Sequence, residues 1–133
     1  MADLTLLIPA GRQVIESYGG GRFRVTGQVY EGSVIVRPTA TIPWPVRSMA
    51  DLSLPSFSAI LQAETPVEIL LLGCGPRLAM VPSSLRQGLR ASGIVVDAMD
   101  TGAACRTYNV LLAEERRGAA APRPPPPRGG GGG

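Results

Sequence analysis

The chain has 133 residues, and its 13 basic side chains are all arginine, set against 10 acids and no histidine. Residues 1–117 hold 11 arginines and 10 acids, so the body is nearly neutral and the formal charge of +3 comes mostly from the end of the chain. That balance provides no broad phosphate-binding surface, so nucleic acid is not the expected partner, and the missing histidine removes Ser-His-Asp, Cys-His and every His-containing metal arrangement at once.

Between residues 12 and 47, alternating segments are punctuated by glycine. Residues 13–17, 23–25, 28–30 and 33–37 read as β-strands, the first two joined by a Gly19-Gly20-Gly21 turn. Pro38, Pro43 and Pro45 then bracket Trp44, which cannot sit in a helix interior there and is expected in an extended segment that plugs one edge of the core. A helix follows near residues 55–62. The apolar run over residues 67–72 suggests a strand buried on both faces, and residues 73–77 form the loop after it. A helix over residues 83–91 starts beside Pro82 and stops before Gly93. Residues 94–98 are the next strand, and a helix from Gly102 to about residue 115 closes the unit. Strand, helix, strand, helix implies parallel pairing.

The start of that last helix is written into MDTGAACRTYN, residues 99–109. Asp100 or Thr101 offers a side-chain oxygen to the free N–H groups of the first turn. Positions 104, 107, 108, 111 and 112 recur at helical spacing, with Arg106, Glu114, Glu115 and Arg116 on the wet side. Ala103, Ala104 and Cys105 keep the first turn thin, which lets a neighbouring backbone, ligand or partner come close. Beyond it, residues 117–121 are expected as a short edge strand, and the PRPPPPRGGGGG composition of residues 122–133 as a disordered tail. The globular domain is therefore expected over residues 1–121. Cys74 and Cys105 make no CxxC pair, MADLTLLIPAG lacks the layout of a secretory signal, and no apolar run approaches the roughly 20 residues of a spanning helix. A soluble, cytoplasmic protein is expected.

In order along residues 5–121, SYGGGRFRV, YEGSVIVRP, the tryptophan, EILLLGCGPR, LRQGLRASGIVVDAMD and TGAACRTYN resemble the family of the mitochondrial respiratory complex I assembly factor 3 and its prokaryotic relatives, a domain of unknown function. TGAACRTYN is the most specific of these pieces and LLLGCGPR the second. The resemblance implies an α/β fold of three layers with a mixed central sheet, and N-terminal β-hairpin elements packed beside a β-α-β-α unit. It also implies protein partners among respiratory complex subunits or assembly factors, no established catalytic residues and no cofactor. Under it the chain is a non-catalytic protein-binding module, cytoplasmic and peripheral at the inner membrane through a partner. Many relatives carry threonine where this chain has Cys74, so a hydroxyl role does not transfer there.

The alternative from the residues is a small-molecule, anion-binding protein or enzyme with its pocket at the carboxyl edge of the sheet, where open α/β sheets bind ligands. Its candidate residues are Gly73, Cys74, Gly75 and Arg77 of the loop with Thr101, Cys105, Tyr108 and Asn109 of the following helix. Trp44 and apolar groups around it are the candidate partner surface. Each has a structural reading beside the functional one. The loop is a sharp turn needing positive φ, or an anion cradle with Arg77. Cys105 is a small buried side chain, or a thiol whose ionisation the helix dipole favours and whose redox partner is Cys74. Tyr108 and Asn109 are core and helix-surface hydrogen-bonding groups, or they line a cleft with Thr101. Asp97 and Asp100 are expected to serve local structure, and no metal site is expected.

Overall fold

Glycine turns set the first layer. The computed structural model describes residues 11–46, 51–75 and 80–123. Strands β1 (Ile15–Gly19), β2 (Arg22–Val25) and β3 (Gln28–Glu31) form an antiparallel meander. Two-residue loops join them, Gly20-Gly21 and Thr26-Gly27, with all four residues at positive φ, the backbone twist that tight hairpins require.

A second sheet carries the core. Its strands are β4 (Val34–Arg37), β5 (Ala40–Pro43), β6 (Ile69–Gly73), β7 (Val95–Met99) and β8 (Gly118–Pro122), in the spatial order β5-β4-β8-β6-β7. β6 runs parallel to both β7 and β8, whereas β4 is antiparallel to β5 and β8, so the sheet is mixed. The expected parallel strand pair is present, Ile69 to Gly73 facing Val95 to Met99 in register.

Two expectations are corrected here. Residues 117–121 were expected at an edge, yet β8 lies in the middle of the sheet, buried along its whole length. Its sequence, GAAAP, lacks the β-branched residues that mark strands; Ala119 and Ala121 face the core under α1 and α2, and Ala120 the core under α3. The strand also runs to Pro122, which pairs with Gly73, and Arg123 N–H still donates to the Gly73 carbonyl, so residues 122 and 123 are not part of a tail. The rest of the expected tail, residues 124–133, lies outside the described residues. The second correction is β5, which pairs with β4 through the Pro38-Thr39 turn where only an extended segment was expected.

Three helices complete the layers: α1 (Ser58–Leu61), preceded by a 3-10 turn over Leu54–Phe57, α2 (Ser83–Ala91) and α3 (Thr101–Ala113). Along β6 the side chains alternate between faces. Leu70 and Leu72 meet Phe57, Ile60, Leu85 and Leu89 beneath α1 and α2, while Leu71 meets Tyr108, Leu111 and Leu112 of α3 together with Ile15, Phe23 and Val25 of the small sheet. The result is three layers: α1 and α2, the mixed sheet, then α3 with the meander. Each fully buried leucine contributes about 2 kcal/mol. Both long helices end in the same way: Ile94 N–H reaches the Leu89 carbonyl past Gly93, and Arg116 N–H reaches the Leu111 carbonyl past Glu115, with Gly93 and Glu115 at positive φ.

Candidate functional site

The carboxyl ends of β6 and β7 and the first turn of α3 meet, as the strand-helix pattern requires. Asp100 is the N-cap, its carboxylate accepting from Ala103 N–H at 2.8 Å. Thr101, buried in the first turn, binds Gly75 in both directions. Gly75 N–H donates to Thr101 Oγ1 at 2.9 Å, and Thr101 N–H donates to the Gly75 carbonyl at 2.9 Å. The threonine hydroxyl in turn donates to the Arg123 carbonyl at 2.6 Å, and Arg123 Nη2 donates to the Cys74 carbonyl at 2.7 Å. Gly73, Cys74, Gly75 and Thr101 are thus brought together, but around the chain's own Arg123. Gly73 is glycine because a Cβ there would stand 2.9 Å from Pro122 Cα. Gly75, at φ +91, makes the expected sharp turn. Arg77, the expected anion ligand, lies outside the described residues.

Cys74 and Cys105 are not a pair. Both are free and buried, but Cys74 belongs to the core under α1 and α2, and Cys105 to the core under α3, on the opposite face of the sheet. The parallel topology places both at one edge, and side-chain direction then separates them. Cys105 follows its reading as a small buried side chain, not as a thiolate. Burial pushes its pKa up to about 12; Arg106 opposes that rise and Asp100 adds to it.

Tyr108 and Asn109 follow their structural reading. The Tyr108 ring is 1% exposed, its hydroxyl donates to the Gln13 carbonyl at 2.8 Å, and burial pushes its pKa upward. Asn109 grips the backbone of Ile15 with both ends of its amide. Beside them, Cys105, Arg106 and Asn109 form a shallow groove with Glu16, Ser17 and Tyr18 of β1. In the first turn of α3, Gly102 sits under the Tyr18 hydroxyl, the far end of a side chain that a Cβ there would push aside. Trp44, expected both to plug an edge of the core and to mark a partner surface, is 5% exposed and belongs to the core. Its indole N–H donates to the Ser56 carbonyl at 2.7 Å and its ring packs on Phe57, centroids 5.3 Å apart.

An opening at the other end of the sheet has no counterpart in the sequence analysis. It lies where β6 and β8 begin, has a volume of about 160 Å³, and gathers Arg12, Arg37, Arg116 and Arg117. These residues are scattered from position 12 to position 117, and no local motif announces them. Among the described residues, no group of three or more Cys, Asp or Glu could hold a metal ion, and no helix is long and apolar enough to cross a membrane.

A family model described as a protein of unknown function (DUF498/DUF598) matches residues 15–122. An uncharacterised protein of Rhodobacter capsulatus is 36% identical over 105 residues, 79% of each chain. NADH dehydrogenase (ubiquinone) 1 alpha subcomplex assembly factor 3 of Danio rerio is 38% identical over 101 residues, 76% of this chain and 58% of that protein. The chain therefore spans little more than half the length of that relative. Among solved structures, a Mth938-like domain from Bordetella pertussis superposes with a TM-score of 0.76 at 27% identity, covering 92% of each chain.

Proposed function

The chain belongs to the DUF498/DUF598 family, and from that premise we propose that it is a non-catalytic protein-binding module that assists the assembly of respiratory complex I. The observation that carries this reading is the 38% identity to an assembly factor across most of the folded domain. A shared fold alone would be a weaker warrant.

The chemistry of the site is consistent with binding rather than catalysis. Thr101, Tyr108 and Asn109 spend their polar groups on the chain's own backbone, and both thiols are buried. What the segment around α3 offers outward is Tyr18, Arg106 and Val110, an aromatic, a guanidinium and an aliphatic group of the kinds that recur at protein interfaces. The partner surface in this reading is that strip, not Trp44. The protein works in the cytoplasm and reaches the inner membrane through its partner.

The test is affinity capture of the tagged full chain from its own membranes and cytosol, compared with a Tyr18→Ala, Arg106→Glu variant. The reading expects complex I subunits or their assembly factors with the wild type and their loss with the variant at unchanged melting temperature. Equal recovery from both, or no respiratory protein from either, contradicts it.

A further inference from the structure

Going beyond that reading, we propose that the opening at the amino ends of β6 and β8 is a binding site for a small carboxylate with a short apolar stem.

Arg37 is the last residue of β4. Its Nε is buried and has no hydrogen-bond acceptor. A buried N–H left without a partner is costly, and native structures leave few of them unexplained. Among the described residues the Arg37 and Arg12 guanidiniums take part in no ion pair, and both line the same cavity. The other two arginines at the rim are engaged: Arg116 faces Glu114 at 3.9 Å and Arg117 faces Glu68 at 3.5 Å. Glu115 is the one acid in the lining and answers only part of the charge.

The shape of the proposed ligand follows from the lining of the cavity. A guanidinium presents parallel N–H donors that match the two oxygens of a carboxylate, and a second guanidinium nearby completes the charge balance. Pro38, Pro66, Val67 and Leu112 supply an apolar wall, which suits a short hydrocarbon stem rather than a fully hydrated ion. No helix N-terminus contributes. The cavity lies at the carboxyl end of α3, whose free carbonyls repel an anion, so recognition falls to the arginine forks.

The test follows the arginine Nε–Hε resonances of the full chain by NMR during titration with butyrate, inorganic phosphate or chloride at constant ionic strength. The proposal expects butyrate to shift the Arg37 resonance saturably, and Arg37→Gln to weaken that binding roughly tenfold or more. Arg12→Gln gives the same weakening and serves alone if the first variant does not fold. A response to butyrate no larger than that to chloride overturns the proposal, as does saturation by phosphate alone or binding unaffected by both variants. None of these outcomes bears on the capture of complex I subunits, so the two readings fail separately.

Discussion

Asn109 and Ile15 are joined by two hydrogen bonds across 94 positions of sequence: the Asn109 amide donates to the Ile15 carbonyl at 2.7 Å and accepts from Ile15 N–H at 3.1 Å. The side chain replaces a neighbouring strand just where β1 is irregular, between Ile15 and Ser17. With the Tyr108 hydroxyl on Gln13, it fastens the three-stranded sheet to α3. Replacing Asn109 by alanine leaves both Ile15 groups without that partner, at a cost of about 2 kcal/mol. Urea unfolding and amide exchange at Ile15 measure this; an unchanged midpoint with Ile15 still protected would refute the fastening role.

Thr101 ties the loop after β6 to the end of β8. Thr101→Val removes the acceptor of Gly75 N–H and the donor to the Arg123 carbonyl while keeping the shape. The expected loss is about 2 kcal/mol, with Thr101→Ser recovering most of it. If valine is as stable as the wild type in denaturant melts while serine is destabilised, the methyl group rather than the hydroxyl is what matters.

Gly73 is held to glycine by the backbone of β8. A Cβ at 2.9 Å from Pro122 Cα meets an atom that moves only with its strand, so Gly73→Ala costs about 1–3 kcal/mol through a shift of β8. Chemical-shift changes at residues 119–123 read that shift directly. Wild-type stability in Gly73→Ala would show that the two strands have room to separate.

How much of this was legible in the sequence depended on whether a signal was local. The Gly19-Gly20-Gly21 turn announced the first hairpin, the apolar run over residues 67–72 announced a strand buried on both faces, and Asp100 or Thr101 announced the start of α3. β8 was misplaced because its alanines resemble the approach to a low-complexity tail. For Trp44 the plug in the core was legible and the choice between core and partner surface was not, because the flanking prolines fix an extended backbone but not the direction of its side chain. The candidate residues at the loop and α3 were found together, yet nothing local told that Arg123 fills the space between them. Cys74 and Cys105 share a sheet edge but not a face, and a face is decided by the strand's alternation and the helix's rotation together. The arginine cavity needed the whole fold, since Arg12, Arg37 and Arg117 meet only after β4 and β8 have paired.

The buried thiol gives a pH signature. Cys105 has its pKa raised from 9.0 to about 12 in the folded state, so the unfolded chain gives up this proton first as pH rises. The folded chain then binds more protons than the unfolded one, and stability falls with pH. The contribution is full below about pH 9 and declines by about 1.4 kcal/mol per unit toward pH 12. Tyr108, shifted in the same direction by burial, adds to the decline from about pH 10 upward. Melting curves of Cys105→Ala between pH 8 and 10 are expected to be flatter than those of the wild type. Parallel curves would place the thiol in contact with water.

The most direct test of the assembly role is the amount of complex I in membranes of a strain lacking this gene, read by native gel and NADH oxidation, and again after restoring the wild type or the Tyr18→Ala, Arg106→Glu variant. The account predicts that complex I falls, that subcomplexes accumulate, and that the wild type but not the variant restores the holoenzyme. Normal levels of assembled, active complex I in the deletion strain would contradict it.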